Sequence, residues 1–144
     1  MFGIIVGTHG QFAPGIVQSC EMIFGKRDKL KAVTLMPGEG PDDVVAKYEQ
    51  AIKELGTEKV LFFNDLLGGS PYNAACRLVA KNENYGIVAG VNLPGLIAMS
   101  AAQDMDDGSA TIAEIMEQAL AACKDGVLSS SYESLNVESD DDEL

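Results

Sequence analysis

Ile4-Ile5-Val6-Gly7-Thr8-His9-Gly10 is an apolar run that ends in the chain's only histidine, held between glycines. A short uninterrupted run of this kind predicts a strand buried on both faces. Gly7 and Gly10 predict a turn at its carboxyl end. In open α/β sheets, ligands gather at that edge. An imidazole with an ordinary pKa of ~6.5 suits a nucleophile or a proton carrier there. A turn residue without chemistry is the alternative, because histidine tolerates unusual backbone angles better than most residues.

Strand-like and helix-like segments alternate outward from this run. The first strand covers residues 2–8. A helix over 14–25 carries Ile16, Val17, Cys20, Ile23 and Phe24 at helical spacing, and Gly25 ends it. A second strand spans 30–36 and closes at Pro37-Gly38. The helix over 41–55 places Val44, Val45, Tyr48, Ala51, Ile52 and Leu55 on one face. The third strand, 59–64, is apolar on both faces through Val60-Leu61-Phe62-Phe63. A helix over 71–81 follows, with Ser70 as its N-cap and Pro71 at its first position. A fourth strand at 85–89 and helices at 94–103 and 109–124 complete the body. Such alternation predicts an open, mostly parallel, doubly wound α/β sheet with helices on both faces. Four parallel strands are expected, plus a short C-terminal edge strand at 127–131. One domain is expected over 1–131, followed by an acidic, disordered tail over 132–144.

Composition narrows the classes of function. The 144 residues suit one domain. No apolar run reaches the length of a membrane span, so no insertion is expected. No basic leader is visible, which makes the cytoplasm the expected location. The net charge is −12, and residues 133–144 hold six of the 22 acids and no base. An acidic surface argues against a nucleic-acid partner. Cys20, Cys76 and Cys123 are scattered, and a single histidine cannot complete a Cys/His zinc site, so no metal is expected. A metal or redox protein is therefore the weakest reading, and the cysteines read as reduced core fillers.

The second informative segment is Asn64-Asp65-Leu66-Leu67-Gly68-Gly69-Ser70-Pro71. It follows the third strand as the His9 loop follows the first. If those strands are neighbours, Asp65 can accept a hydrogen bond from one ring nitrogen of His9 and leave the other as a free lone pair. Gly68 and Gly69 allow close backbone approach to a ligand. Ser70 at a helix N-terminus favours an anion. The Thr8 hydroxyl and the backbone N–H groups near Gly10 and Gly69 are further candidate donors to a phosphoryl group. A nucleophile facing an anion cradle suits phosphoryl transfer, which rests on positioning and on stabilising spread charge. Read blandly, Gly-Gly-Ser-Pro is a turn with a helix behind it, and Asp65 a turn acid. No GxxxxGK[ST] loop and no hydrolase elbow is present.

Taken together, several stretches resemble the IIA component of the mannose-type, phosphoenolpyruvate-dependent sugar phosphotransferase system. They are Ile5-Val6-Gly7-Thr8-His9-Gly10, Met36-Pro37-Gly38-Glu39, Asp65 with Gly68-Gly69-Ser70-Pro71 and Asn73-Ala74-Ala75, and Ala89-Gly90-Val91-Asn92-Leu93-Pro94. The resemblance runs in register over about residues 1–125. It implies that His9 is phosphorylated on Nε2, receiving phosphate from the histidine phosphocarrier protein and passing it to a IIB component. It implies that Asp65 orients Nδ1 and that Ser70 lies in the same pocket. It implies no cofactor, neither metal nor nucleotide, and a homodimer that exchanges a C-terminal strand. Leu67 stands where members often carry an aromatic residue. The 133–144 segment lacks the Ala/Pro-rich linker that fuses some members to IIB, so a free-standing IIA protein is expected. A related group donates phosphate to a dihydroxyacetone kinase, and a non-catalytic regulatory module on the same fold is the other alternative.

Overall fold

The computed structural model describes residues 1–141, with side chains described as far as residue 137. In chain order the elements are β1 (Gly3–His9), α1 (Phe12–Phe24), β2 (Leu30–Leu35), α2 (Pro41–Leu55), β3 (Val60–Asn64), α3 (Gly69–Val79), β4 (Tyr85–Ala89), α4 (Leu93–Met105), α5 (Ile112–Asp125) and α6 (Tyr132–Asp141). The four strands form one parallel sheet in the order β2-β1-β3-β4. β1 and β3 are hydrogen-bonded neighbours, in a register that sets Val6 against Phe63 and Gly7 against Asn64. The chain leaves β1 toward β2 on one side and returns to β3 on the other. The gap between the carboxyl ends of β1 and β3 is therefore the topological switch point, where an open parallel sheet forms a crevice.

Strand parity divides the interior into two layers. Ile4, Val6, Leu61, Phe63 and Val88 face α1, α4 and α5. Ile5, Val33, Val60 and Phe62 face α2 and α3. On α2 the buried side chains are Val44, Tyr48, Ala51 and Leu55, the spacing of one helical face. Burying each large apolar side chain contributes roughly 1.5–3 kcal/mol. Gly56, in the left-handed region at φ 62°, stops that helix. Gly7 has a tertiary reason: a Cβ there would overlap the Tyr48 hydroxyl.

Two expectations at the C-terminus are corrected. Residues 127–131 form no strand, and the segment is exposed, with Val127 and Leu128 among the exposed apolar residues. Its apolar content suggested a strand, but it lies along no sheet edge, and pairing is what makes a strand. The expected tail is not wholly irregular: Tyr132–Asp141 is helical, and 142–144 lie outside the described residues. The Ser131 hydroxyl accepts the Ser134 N–H at 3.1 Å, and the Ser134 hydroxyl oxygen accepts the Ser131 N–H at 2.9 Å. This reciprocal cap was not seen in the composition.

Candidate functional site

Position 9 is the last residue of β1, and it is the one exposed residue in that strand. Parity places its side chain on the Ile5 and Gly7 face, toward α2 and α3. Asp65 follows β3 directly. Because β1 and β3 pair, the two loops meet: the Asp65 Oδ2 lies 2.8 Å from the His9 Nδ1. The same oxygen accepts the His9 backbone N–H at 3.0 Å, while Oδ1 accepts the Leu66 N–H at 3.0 Å. The imidazole side chain is 46% exposed and the carboxylate 11%. An ionised Asp65 makes Nδ1 the protonated nitrogen, so Nε2 carries the free lone pair.

Partial burial pushes the Asp65 pKa up. The hydrogen bonds from the His9 backbone and ring, the charge attraction of the ring and the Leu66 N–H outweigh it, and the carboxyl is held below its usual value. Its folded-state pKa is thus lower than its unfolded one. The associated stabilisation is complete above the ordinary value of ~3.9 and disappears as pH falls through the lowered value. Thermal melts should therefore show native protein more stable than Asp65→Asn near neutrality, with the two midpoints converging as the pH drops below about 4. A gap that stays constant into acid would show that the carboxylate's charge contributes nothing.

The glycines after Asp65 shape the other side of the ring. Gly68 and Gly69 both have positive φ, 86° and 79°, which a glycine adopts without steric cost. A Cβ on Gly69 would stand 3.0 Å from the His9 Cε1 and 3.1 Å from Nε2. The missing side chain keeps space open beside the free lone pair. Gly69 also begins α3, and its N-cap, Gly68, has no side chain to cap the helix. The start of α3 therefore lies beside the imidazole, and the positive end of a helix dipole favours an anion.

Three expectations about the cradle change. Thr8 has opposite parity to His9, so its side chain turns inward and is wholly buried. Its hydroxyl accepts the Ala13 N–H at 2.7 Å, at the start of α1, and donates to the His9 carbonyl at 3.3 Å. Thr8 thus supports the loop from beneath and does not face the ring. The Gly10 N–H is also committed, donating to the Leu35 carbonyl at 2.8 Å, because the β1–β2 ladder runs on past His9. Ser70 is not a cap: α3 starts two residues before the predicted 71, which puts Ser70 in its first turn, half-buried. His9, Asp65 and Gly69 are brought together and Ser70 follows Gly69 in the first turn of α3, whereas the Thr8 hydroxyl and the Gly10 N–H are engaged elsewhere. The sequence marks Gly69 as a close-approach, phosphoryl-binding glycine but does not reveal its packing against the ring. Its signal was the pair of adjacent glycines directly before a helix.

Asn92, in the loop after β4, caps α4 by accepting the Gly95 N–H at 2.9 Å and donates to the Cys123 carbonyl at 2.9 Å. It is a structural residue, as a loop that starts a helix should contain. Exposed apolar side chains flank the His9 loop and the Asp65 loop at Phe12, Leu66 and Leu67. No helix among the described residues is long and apolar enough to cross a membrane.

Residues 3–120 match the protein family described as EIIA-man, PTS system fructose IIA component. The chain is 39% identical over 104 residues to the PTS system mannose-specific EIIAB component of Escherichia coli (strain K12). That match takes in 72% of this chain, which spans about a third of the length of that relative. It is 42% identical over 98 residues to the PTS system fructose-specific EIIA component of Bacillus subtilis (strain 168), 67% of either protein. The fold is shared with the phosphotransferase system component EIIA of Streptococcus agalactiae, at a TM-score of 0.80 and 23% identity over 90% of this chain and 97% of that one. With the sheet order, the switch-point histidine and these likenesses in agreement, the chain belongs to the mannose-type IIA family of the sugar phosphotransferase system.

Proposed function

We propose that this IIA chain is a phosphoryl carrier that works through His9. The Nε2 lone pair attacks phosphorus on the phosphorylated histidine phosphocarrier protein, a N–P bond forms at His9, and the donor's own N–P bond breaks. The ring keeps its Nδ1 proton and becomes cationic, and the Asp65 carboxylate stabilises that charge. The Gly69 and Ser70 end of α3, with the Ser70 hydroxyl, holds the phosphoryl oxygens. In the second half-reaction a IIB component attacks the same phosphorus and restores neutral His9, so that the phosphate serves sugar uptake and phosphorylation. One observation carries the reading: Nδ1 is held 2.8 Å from Asp65 while the Nε2 side is kept clear by Gly69.

Exposed Phe12, Leu66 and Leu67, in the segments that follow His9 and Asp65, suit transfer to another protein's surface. We place this exchange in the cytoplasm and take the working unit to be a homodimer. The outer edge of β4 has no strand beside it among the described residues, and it offers a route to pairing between copies.

The test incubates the protein with phosphoenolpyruvate, enzyme I and the phosphocarrier. Intact mass should rise by one acid-labile phosphate, which peptide mapping places on His9; a mass that never changes leaves a binding module as the correct reading. In the same assay Asp65→Ala should fold normally and transfer roughly a hundredfold more slowly. An unchanged rate would remove Asp65 from the mechanism. Light scattering on the labelled sample reads the dimer, and a single-chain mass would reject it.

A further inference from the structure

Beneath the His9 site lies a wholly buried polar pair, Tyr48 and Asn64, inside an otherwise apolar layer. The Tyr48 hydroxyl donates to the Pro71 carbonyl at 2.9 Å, in the first turn of α3. It accepts from the Asn64 Nδ2 at 3.0 Å, and that amide also donates to the Gly7 carbonyl at 2.8 Å. The Asn64 main-chain carbonyl accepts the Gly90 and Val91 N–H groups at 2.9 and 3.0 Å. Gly7 lies two residues before His9, Asn64 directly precedes Asp65, and Pro71 lies two residues after Gly69. One hydroxyl and one amide thus join the strand that carries the nucleophile, the strand that carries its carboxylate and the helix whose N-terminus faces both.

Packing alone does not account for this pair. The Tyr48 ring sits edge-on to Phe62, with centroids 5.0 Å apart, a contact that phenylalanine would make equally well. The Asn64 Oδ1 is buried with no hydrogen-bond partner. Burying that oxygen opposes folding, and an apolar pair of similar volume would avoid the penalty. An apolar pair would not tie Gly7 to Pro71. Burial raises the Tyr48 pKa well beyond the ordinary phenol range, so the hydroxyl remains a donor at any working pH. Neither residue touches the space beside the His9 Nε2, and both act through the backbone they hold.

We infer that Tyr48 and Asn64 are positioning residues for phosphoryl transfer, setting the placement of the α3 N-terminus against the His9–Asp65 pair. This inference rests on the phosphoryl-carrier reading. Its logic is that a phosphoryl group on Nε2 gains most from N–H groups already fixed in place. A helix start free to drift would reduce that gain without altering what a partner protein meets at the surface.

The test is Tyr48→Phe in the full chain, with transfer rates measured across phosphocarrier concentrations at a temperature where the variant is fully folded. The expected result is a fall in kcat of about tenfold, with KM within about twofold of native. The amide resonances of Gly69 and Ser70, which should shift when native protein is phosphorylated, should shift less in the variant. Asn64→Ser should reproduce the loss, and the double variant should be no slower than the slower single one, because both substitutions break one network. Native kcat in folded Tyr48→Phe overturns the inference, as does a loss confined to KM. If Tyr48→Phe does not fold, Asn64→Ser decides, and a native kcat there overturns it equally. Failure of native protein to take up phosphate would instead defeat the carrier reading itself.

Discussion

His9→Ala should take up no phosphate from the phosphocarrier, with labelling below detection, while the protein stays folded. No second imidazole exists in the chain to substitute for it. Among the cysteines, Cys20 and Cys123 are buried, and Cys76 is half-buried on α3, two turns beyond Gly69. The fold should survive because position 9 ends its strand and the side chain is 46% exposed. Asp65 also keeps two of its three hydrogen bonds in the variant. It still accepts the backbone N–H at position 9 and that of Leu66. Losing the ring's hydrogen bond to Asp65 costs about 0.5–1.5 kcal/mol, so a cooperative melting curve only modestly below native separates lost chemistry from lost structure. Persistent labelling of this variant would sink the assignment.

Gly69→Ala should slow phosphorylation roughly a hundredfold, as much as Asp65→Ala. Two costs arise and can be separated. The first is backbone strain, since φ at Gly69 is 79°, and an L side chain in the left-handed region costs about 1–2 kcal/mol. The second is occupancy: the new methyl group would stand 3.0–3.1 Å from the edge of the ring that carries Nε2. The ring cannot yield freely, because Nδ1 is anchored 2.8 Å from Asp65. Gly68→Ala is the control. Its φ is 86°, but a Cβ there meets nothing within 4 Å, so it carries strain without the obstruction. Stopped-flow phosphorylation should find Gly68→Ala much closer to native than Gly69→Ala. Equal rates for the two variants would mean that strain is the whole effect and that the open space beside Nε2 is not where phosphorus enters.

Much of the site was legible because its parts sit at strand ends. A strand that ends in Thr8-His9-Gly10 and one that ends in Asn64-Asp65 must deliver those residues to the same edge once both strands run parallel, and the β1–β3 register does so. What misled at Thr8 was proximity along the chain. It adjoins His9, but alternation sends adjacent side chains to opposite faces, and its hydroxyl closes α1. Gly10 misled for a related reason: a backbone N–H looks available in a sequence, and only the neighbouring strand shows that Leu35 has taken it. The Tyr48 position read as one more apolar contact on an amphipathic helix. Its hydroxyl was the unused clue, since a buried phenol needs a partner.

Local patterning was enough for the strand and helix alternation, for the parallel sheet and for a histidine and an aspartate at its carboxyl edge, because hydrophobic period and glycine–proline punctuation act over a few residues. The meeting of His9 with Asp65, the clearance left by Gly69, the Tyr48–Asn64 bridge and the absence of pairing at 127–131 all depend on which segments become neighbours. The His9–Asp65 and Asn64–Gly7 contacts alone span 56 and 57 residues of chain, and such contacts are decided by tertiary packing, where strand order and face parity determine which groups touch.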